Sequence, residues 1–225
     1  MTFKSSLTLA VALAAAAFMP SCTTGYGGGG LAAYHAYDLP TKLPSNPNNV
    51  RVKVSLSKQR AYVMEGSQML LAMPISVGTS ATPTHCGSYT IFNKEHKHRA
   101  NTHGYAQCGN QVKQTFLAKK PGGWLFRGTP MPYWCEFSPN YGFHTGWIKH
   151  YPCTHGCIRM HENLSPKFFR LVKVGTPVNI AYAQPEDATC GTIPLPPDSG
   201  PLPDYPGSMY LSDAYFTKHR SPVYQ

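Results

Sequence analysis

Eight residues, CTHGCIRM from Cys153 to Met160, gather two cysteines, a histidine, a glycine and an arginine. Such residues serve a metal half-site, a redox pair or a nucleophilic thiolate. The first two favour a spacing of two residues between cysteines, whereas three separate Cys153 from Cys157. A thiolate that attacks a carbonyl needs a base to take its proton and N–H donors for the oxyanion that forms. Cys157 directly follows a His-Gly step and has Arg159 two places on, which fits the third reading. Two histidines are candidates for the base. His155 stands two residues before Cys157, and in an extended segment such residues point to the same side. His144, in FHTG, reaches the thiol if WIKHYPC forms a loop. Gly156 permits a tight turn, and the amides of Gly156 and Cys157 are candidate oxyanion donors.

The elements that must position these residues read as mainly β. VRVKVSL places Val50, Val52, Val54 and Leu56 on one face, the period of a half-buried strand. RAYVMEGSQMLLAMPISVG adds two strand-like runs either side of a turn at Glu65-Gly66-Ser67-Gln68. GSYTIFN reads as another strand, and the aromatic runs YWCEF and YGFHTGWI are separated by the turn residues SPN. One helix interrupts the pattern: Ser165 as N-cap, Pro166 at the first helical position, Phe168, Leu171 and Val172 at helical spacing, and Gly175 as the stop. TPVNIAYA closes the strand-rich region, and the chain beyond Gln184 is proline-rich, which predicts an extended surface segment.

FHTGWIKHYPCTHGCIRM resembles the signature of the L,D-transpeptidase catalytic domain, the YkuD family, in its subgroup with a His-x-Gly entry and Thr-His-Gly-Cys-Ile-Arg. PISVGTSATPTHCGSYTI and the later Gly-Thr-Pro-Val-x-Ile agree in order, so the resemblance covers residues 50–183. It implies a YkuD-like β-sandwich with one helix after the catalytic loop and no cofactor. By the same resemblance Cys157 is the nucleophile and His144 the general base, oriented by the backbone carbonyl of Thr145. His155 then shapes the pocket, Gly156 contributes an amide, and Arg159 holds the loop or binds a substrate carboxylate. The implied reaction is acyl transfer from a peptidoglycan tetrapeptide stem through a cysteine thioester, giving 3-3 cross-links. Water or the lysine of a lipoprotein is an alternative acceptor, and a non-catalytic peptidoglycan-binding lipoprotein is the alternative from another class. Cys153, His85 and Cys86 depart from the family's commoner residues.

Residues 85–108 carry His85, His96, His98, His103, Cys86 and Cys108, but their spacing fits no recognised metal site. A mobile loop between strands is the expectation; the resemblance implies that it lies over the active site, and a Cys86 to Cys108 bridge across it is the first pairing to test among those the sequence leaves open. Tyr133, Trp134, Tyr141 and Trp147 are read as core aromatics, at most one of them touching substrate.

The first residues, one lysine and then an apolar run from Leu7 to Met19, read as a secretory signal over 1–21. Met19-Pro20-Ser21-Cys22 resembles the bacterial lipobox, which implies lipidation of Cys22 and a membrane anchor. Residues 22–49 are then a flexible tether, 50–184 the catalytic domain and 185–225 a C-terminal extension. Export permits oxidation of cysteines. Setting Cys22 and Cys157 aside leaves Cys86, Cys108, Cys135, Cys153 and Cys190, an odd number whose pairing the sequence leaves open. The formal charge of +10 suits anionic wall polymers or headgroups at the periplasmic face of the envelope. Scattered basic residues without a nucleic-acid motif exclude that partner.

Overall fold

A computed structural model describes residues 30–202 and 204–218. The secretory signal, Cys22 and the start of the tether lie outside these described residues. The described residues form ten strands: β1 Val50–Ser55, β2 Arg60–Glu65, β3 Gln68–Ser76, β4 Gly87–Thr90, β5 Asn93–Cys108, β6 Gln111–Phe116, β7 Leu125–Ser138, β8 Tyr141–Thr145, β9 Ile158–Met160 and β10 Pro177–Ala181. They form one mixed sheet in the order β4-β10-β1-β2-β3-β9-β8-β7-β5-β6. Five short helices accompany it: α1 Leu31–Ala36, α2 Ser165–Leu171, α3 Glu186–Thr189, α4 Gly207–Leu211 and α5 Ala214–Thr217.

The expected sandwich takes the form of a sheet that curls over itself. Strand β4 stands at one edge and β7 eighth from it, yet Tyr89 of β4 packs on Phe137 of β7 with ring centroids 5.2 Å apart. The chain between β4 and β5 closes the same gap, because the Phe92 N–H donates to the Glu136 carbonyl at 3.0 Å. One apolar core therefore serves both halves, with Val52, Val54, Ile75 and Ile180 meeting Phe143, Ile158 and Phe168. The alternation in VRVKVSL produces this burial directly, since its even-numbered valines enter the core and Arg51 stays out. Gly66, at φ 59°, makes the two-residue turn between β2 and β3.

Three expectations need correction. Residues 30–49 are not a flexible tether: α1 and the chain after it dock on the core through Tyr34, Leu39 and Thr41, all buried. Lys167 is buried too, and its ammonium binds the Asp38 carboxylate and the Leu39 carbonyl, both at 2.8 Å. Aromatic and aliphatic anchors after the glycine run outweigh its flexibility. Residues 85–108 are not a loop. Strand β5 runs for 16 residues, paired with β7 from Asn93 opposite Glu136 to Gln107 opposite Leu125. Backbone pairing makes this strand where side-chain alternation is missing. Cys86 and Cys108 are both free, because Cys86 precedes the edge strand β4 while Cys108 sits at the far tip of the β5–β6 hairpin.

The remaining differences are smaller. The extension after Gln184 includes α3, α4 and α5 and buries Tyr210 and Tyr215, so it is neither wholly extended nor loose. Helix α2 begins at Ser165 with Leu164 as N-cap, one residue from the expected start. Among the described residues no helix is long and apolar enough to cross a membrane.

Candidate active site

The centre of the sheet builds the site. Strands β8 and β9 run parallel with Phe143 opposite Ile158 and His144 opposite Arg159. Facing residues of a parallel pair project to one side of the sheet, so His144 and Arg159 share a face while Phe143 and Ile158 enter the core. Cys157 lies immediately before β9, at the end of the loop that leads into it.

His144 is buried, and its Nδ1 lies 2.8 Å from the Thr145 carbonyl. A carbonyl only accepts, so Nδ1 carries the hydrogen and Nε2 is left with a free lone pair. Thr145 is itself fixed, its hydroxyl bonded to the Ser165 hydroxyl at 2.6 Å and to the Pro132 carbonyl at 3.2 Å. Helix α2 thus orients the imidazole through one intermediary. Burial, and then the nearby Arg159 guanidinium, push the His144 pKa down to about 3, so the ring is neutral across the physiological range.

Burial raises the pKa of the Cys157 thiol. The Gly142 backbone N–H bonded to the sulfur, together with Arg159, opposes that rise. The thiol also lies 3.7 Å from the Asn140 carbonyl, and Asn140 adopts φ 65° in the turn between β7 and β8. Thiol and imidazole are both uncharged at rest, and no hydrogen bond joins them among the described residues. Such contacts are often open in the absence of substrate.

The loop before Cys157 is held by threonines. Thr154 Oγ1 donates to the Cys157 carbonyl at 2.6 Å and accepts from the Gly156 N–H at 3.2 Å. Thr84 Oγ1 donates to the Gly156 carbonyl and accepts from the Gly78 N–H, both at 2.9 Å. Gly156 has φ 107°, and a Cβ there would lie 2.5 Å from the Tyr141 ring, so glycine is required on two counts. Two expectations fail because of this turn. The 155–157 segment is not extended, and exposed His155 turns away to pack against His103 and Phe116 of the β5–β6 hairpin, at 4.5 and 6.4 Å between ring centroids. The Gly156 amide is engaged by Thr154 and is not free to serve an oxyanion.

Arg159 donates to the Trp147 carbonyl at 3.3 Å and approaches the Cys153 sulfur at 3.8 Å. Cys153 and Cys157 are both free. Of the four singled-out aromatics, Trp134 is in the core, stacked on His98, Tyr133 packs against Phe169, and Tyr141 abuts Gly156. Trp147 is half-buried and stacks on Tyr205 of the C-terminal extension. Sequence reasoning missed Thr84, Asn140 and Gly142. Thr84 was findable, since it follows the Thr-Pro step of TPTHCG, whereas the other two act through backbone atoms that residue types do not reveal.

A curled mixed sheet with a carbonyl-held imidazole on β8 and a thiol at the end of the loop that leads into the adjacent β9 defines a thiol-centred site on a β scaffold. Residues 49–180 match the YkuD family, the L,D-transpeptidase catalytic domain, and with more than half of its length matched the chain belongs to that family. No curated protein matches the chain significantly. Among solved structures, an L,D-transpeptidase from Mycobacterium smegmatis is 18% identical over 59% of this chain and 58% of its own, with a TM-score of 0.46. One from Stackebrandtia nassauensis is 19% identical over 68% and 65%, also at 0.46. One from Xylanimonas cellulosilytica is 19% identical over 67% and 68%, again at 0.46. The chain therefore spans less than two thirds of the first two relatives.

Proposed function

We propose that the protein is an exported peptidoglycan L,D-transpeptidase that forms 3-3 cross-links from tetrapeptide stems. The observation that carries this reading is the Nδ1 contact of His144 with the Thr145 carbonyl, beside the parallel strand that Cys157 leads into, in a chain of this family. Cys157 is the nucleophile and His144 the base. As sulfur attacks the carbonyl of the third stem residue, the thiol proton passes to His144 Nε2 and the Cys157 amide faces the oxyanion. Collapse breaks the C–N bond to D-alanine, which leaves with the proton from His144, and a thioester remains. An amine of a second stem then attacks, gives its proton to His144 and displaces the thiolate. Low intrinsic basicity of His144 suits it to release the proton to the leaving amine.

Arg159 ties the chain after β8 to the catalytic loop and offsets negative charge beside the thiol. His155 serves as the contact point between that loop and the β5–β6 hairpin. Lipidation of Cys22 would hold the enzyme at the periplasmic face of the outer membrane, near the wall and any acceptor lipoprotein. Incubation of the protein with a disaccharide tetrapeptide, followed by intact mass and muropeptide measurement, tests the reading. A thioester adduct absent from Cys157→Ala, with dimers among the products, is expected, and turnover should fall more than about 1,000-fold in that variant. Tripeptide alone would make the protein a carboxypeptidase. An unmodified protein with unchanged tetrapeptide, in the presence and absence of reductant, would sink catalysis and favour a binding lipoprotein.

A further inference from the structure

Two backbone groups that hold the Cys157 sulfur come from one place, the connection between β7 and β8: the Asn140 carbonyl at 3.7 Å and the Gly142 N–H. A side chain spans that connection. Glu136 of β7 stands opposite Gly142 of β8, and the register between the strands slips between Glu136 and Ser138. Trp134 and Glu136 share one face of β7, as Gly142 and His144 share one face of β8. Glu136 therefore lies on the His144 side of the sheet, away from the core that takes Cys135 and Phe143.

Both oxygens of the Glu136 carboxylate are engaged. Oε1 accepts from the Asn140 N–H at 2.9 Å, and Oε2 accepts from Asn93 Nδ2 at 3.2 Å and from the Trp134 indole N–H at 3.4 Å. Asn93 also donates to Glu95 at 2.8 Å, and Glu95 meets His98 Nδ1 at 3.0 Å, so β5 braces the carboxylate from behind. Asn140 is gripped a second time, its Oδ1 accepting from Asn101 Nδ2 at 3.1 Å. Its φ of 65° is left-handed, a conformation that a residue other than glycine keeps when its surroundings hold it there. Pro139 and Asn140 are exposed, so burial does little to fix the turn and hydrogen bonds must do it. Gly142 is fitted as closely, since a Cβ there would lie 2.7 Å from the Trp134 ring.

Charge adds to this geometry. Around the thiol stand Arg159 on β9, His144 on β8 and Glu136 on β7, with the Glu95 and His98 pair behind Glu136 on β5, while His155 turns away onto His103. Arg159 favours the thiolate and Glu136 opposes it. A carboxylate here favours the neutral thiol, the form that can donate its hydrogen to the Asn140 carbonyl. A thiol held in that form reacts slowly with electrophiles, because the thiolate is the nucleophile.

We propose that Glu136 is a positioning residue for the nucleophile: it fixes the turn from Asn140 to Gly142 that aims the sulfur, and it keeps Cys157 protonated until His144 takes the proton. The assignment rests on the transpeptidase reading, in which Cys157 is the attacking atom. Glu136 acts through the turn and through its charge, without touching the substrate.

Iodoacetamide labelling of the full-length protein in detergent, read by mass spectrometry of the peptide that carries Cys157, follows this thiol apart from the other cysteines. Glu136→Gln keeps an acceptor for the Asn140 N–H and removes the charge, whereas Glu136→Leu removes both. In Glu136→Gln the labelling rate at neutral pH should rise about 3-fold, with the midpoint of its pH profile moved to lower pH. On tetrapeptide, kcat should fall at least about 10-fold in Glu136→Leu and less in Glu136→Gln, with KM within about 3-fold in both. A merely structural role would lower the melting temperature and leave the labelling midpoint where it was. An unmoved midpoint in Glu136→Gln, or an undiminished kcat in Glu136→Leu, would overturn the inference. The two readings fail separately. A wild-type thioester with an unmoved midpoint overturns this inference alone, whereas a moved midpoint in a protein that forms no thioester overturns the reaction and leaves the hold of Glu136 on the thiol intact.

Discussion

The two halves of the sheet are built on different physics. In β10-β1-β2-β3 nearly every inward side chain is an aliphatic residue in the shared core, and β2 buries four consecutive positions, Ala61 to Met64. In β9-β8-β7-β5-β6 the strands near the site are held by threonine hydroxyls, arginine-to-carbonyl bonds and stacked aromatics, and β6 buries none of its six residues. Apolar burial is non-directional and tolerates small shifts, whereas a hydrogen-bonded loop fixes positions to fractions of an ångström. Chemistry sits in the second half because it needs directed groups. That half still borrows its rigidity from the first through Phe143, Ile158 and Phe168.

The largest effect should come from cutting that connection. Phe143 is fully buried and packs on Phe168 at 4.6 Å and on Phe137 at 5.3 Å between ring centroids. Phe143→Ala should cost about 3–5 kcal/mol. Denaturant unfolding should still show one transition when followed by both near- and far-ultraviolet circular dichroism. Two separated transitions would mean that the halves are independent units and break the comparison. Thr154→Val should act differently, because it keeps the shape and removes the bonds to the Cys157 carbonyl and the Gly156 amide. About 1–2 kcal/mol of stability is expected to go, with a 10- to 100-fold fall in kcat. A stability loss with undiminished kcat would show that the loop does not depend on this hydroxyl for its catalytic geometry.

The same division explains what the sequence disclosed. Alternation in VRVKVSL was legible because burial on one face imprints a period of two on residue type, while β2 and β3 were legible as apolar runs either side of the Gly66 turn. The thiol, the histidine and the stop-and-turn chemistry around Gly156 were legible because residue type alone carries that information. Strand β5 was not, because Lys94, His96, Lys97 and His98 offer no apolar face, and its strand state comes from β7, where Lys94 pairs with Cys135 and His98 with Met131. The docking of α1 and of the extension was hidden for a related reason: single aromatics such as Tyr34 and Tyr210 bury themselves without any period. The direction of His155 was lost to one left-handed residue, since Gly156 at φ 107° undoes an inference that assumed an extended chain.

A pH titration sharpens the contrast at the point where the two halves meet α1. His161 is fully buried, donating from Nε2 to the Tyr34 carbonyl at 2.9 Å and accepting at Nδ1 from the Asn163 N–H at 3.2 Å. Burial pushes its pKa down to about 4 from an ordinary 6.5. Above pH 6.5 both the folded and unfolded states hold a neutral ring and the residue contributes no pH dependence. Between pH 6.5 and about 4 the unfolded chain takes up a proton that the folded chain refuses, so stability falls as the pH is lowered, by on the order of 2–3 kcal/mol across the window. Urea midpoints measured from pH 8 to 4.5 should therefore decline more steeply for the wild type than for His161→Gln. Parallel curves would show that His161 does not hold its neutral state on folding.

The smallest effect is expected at the tip of the second half, and it is informative for that reason. Leu125 opens β7, lies opposite Gln107 and is 75% exposed. Replacing it with threonine removes a leucine that already faces water and keeps a residue suited to a strand, so the change in stability should stay within about 0.5 kcal/mol. Leu71→Thr in β3 places the same chemistry where the side chain is 1% exposed, and should cost several-fold more because a hydroxyl then enters the core without a partner. Thermal melts of the two variants measure how far the halves differ in their use of apolar side chains. Turnover of Leu125→Thr on soluble tetrapeptide should equal that of the wild type. If it were equal there but reduced on intact sacculi, the tip of β7 would be contacting the polymer, and the polar half of the sheet would extend its work from holding the site to holding the wall.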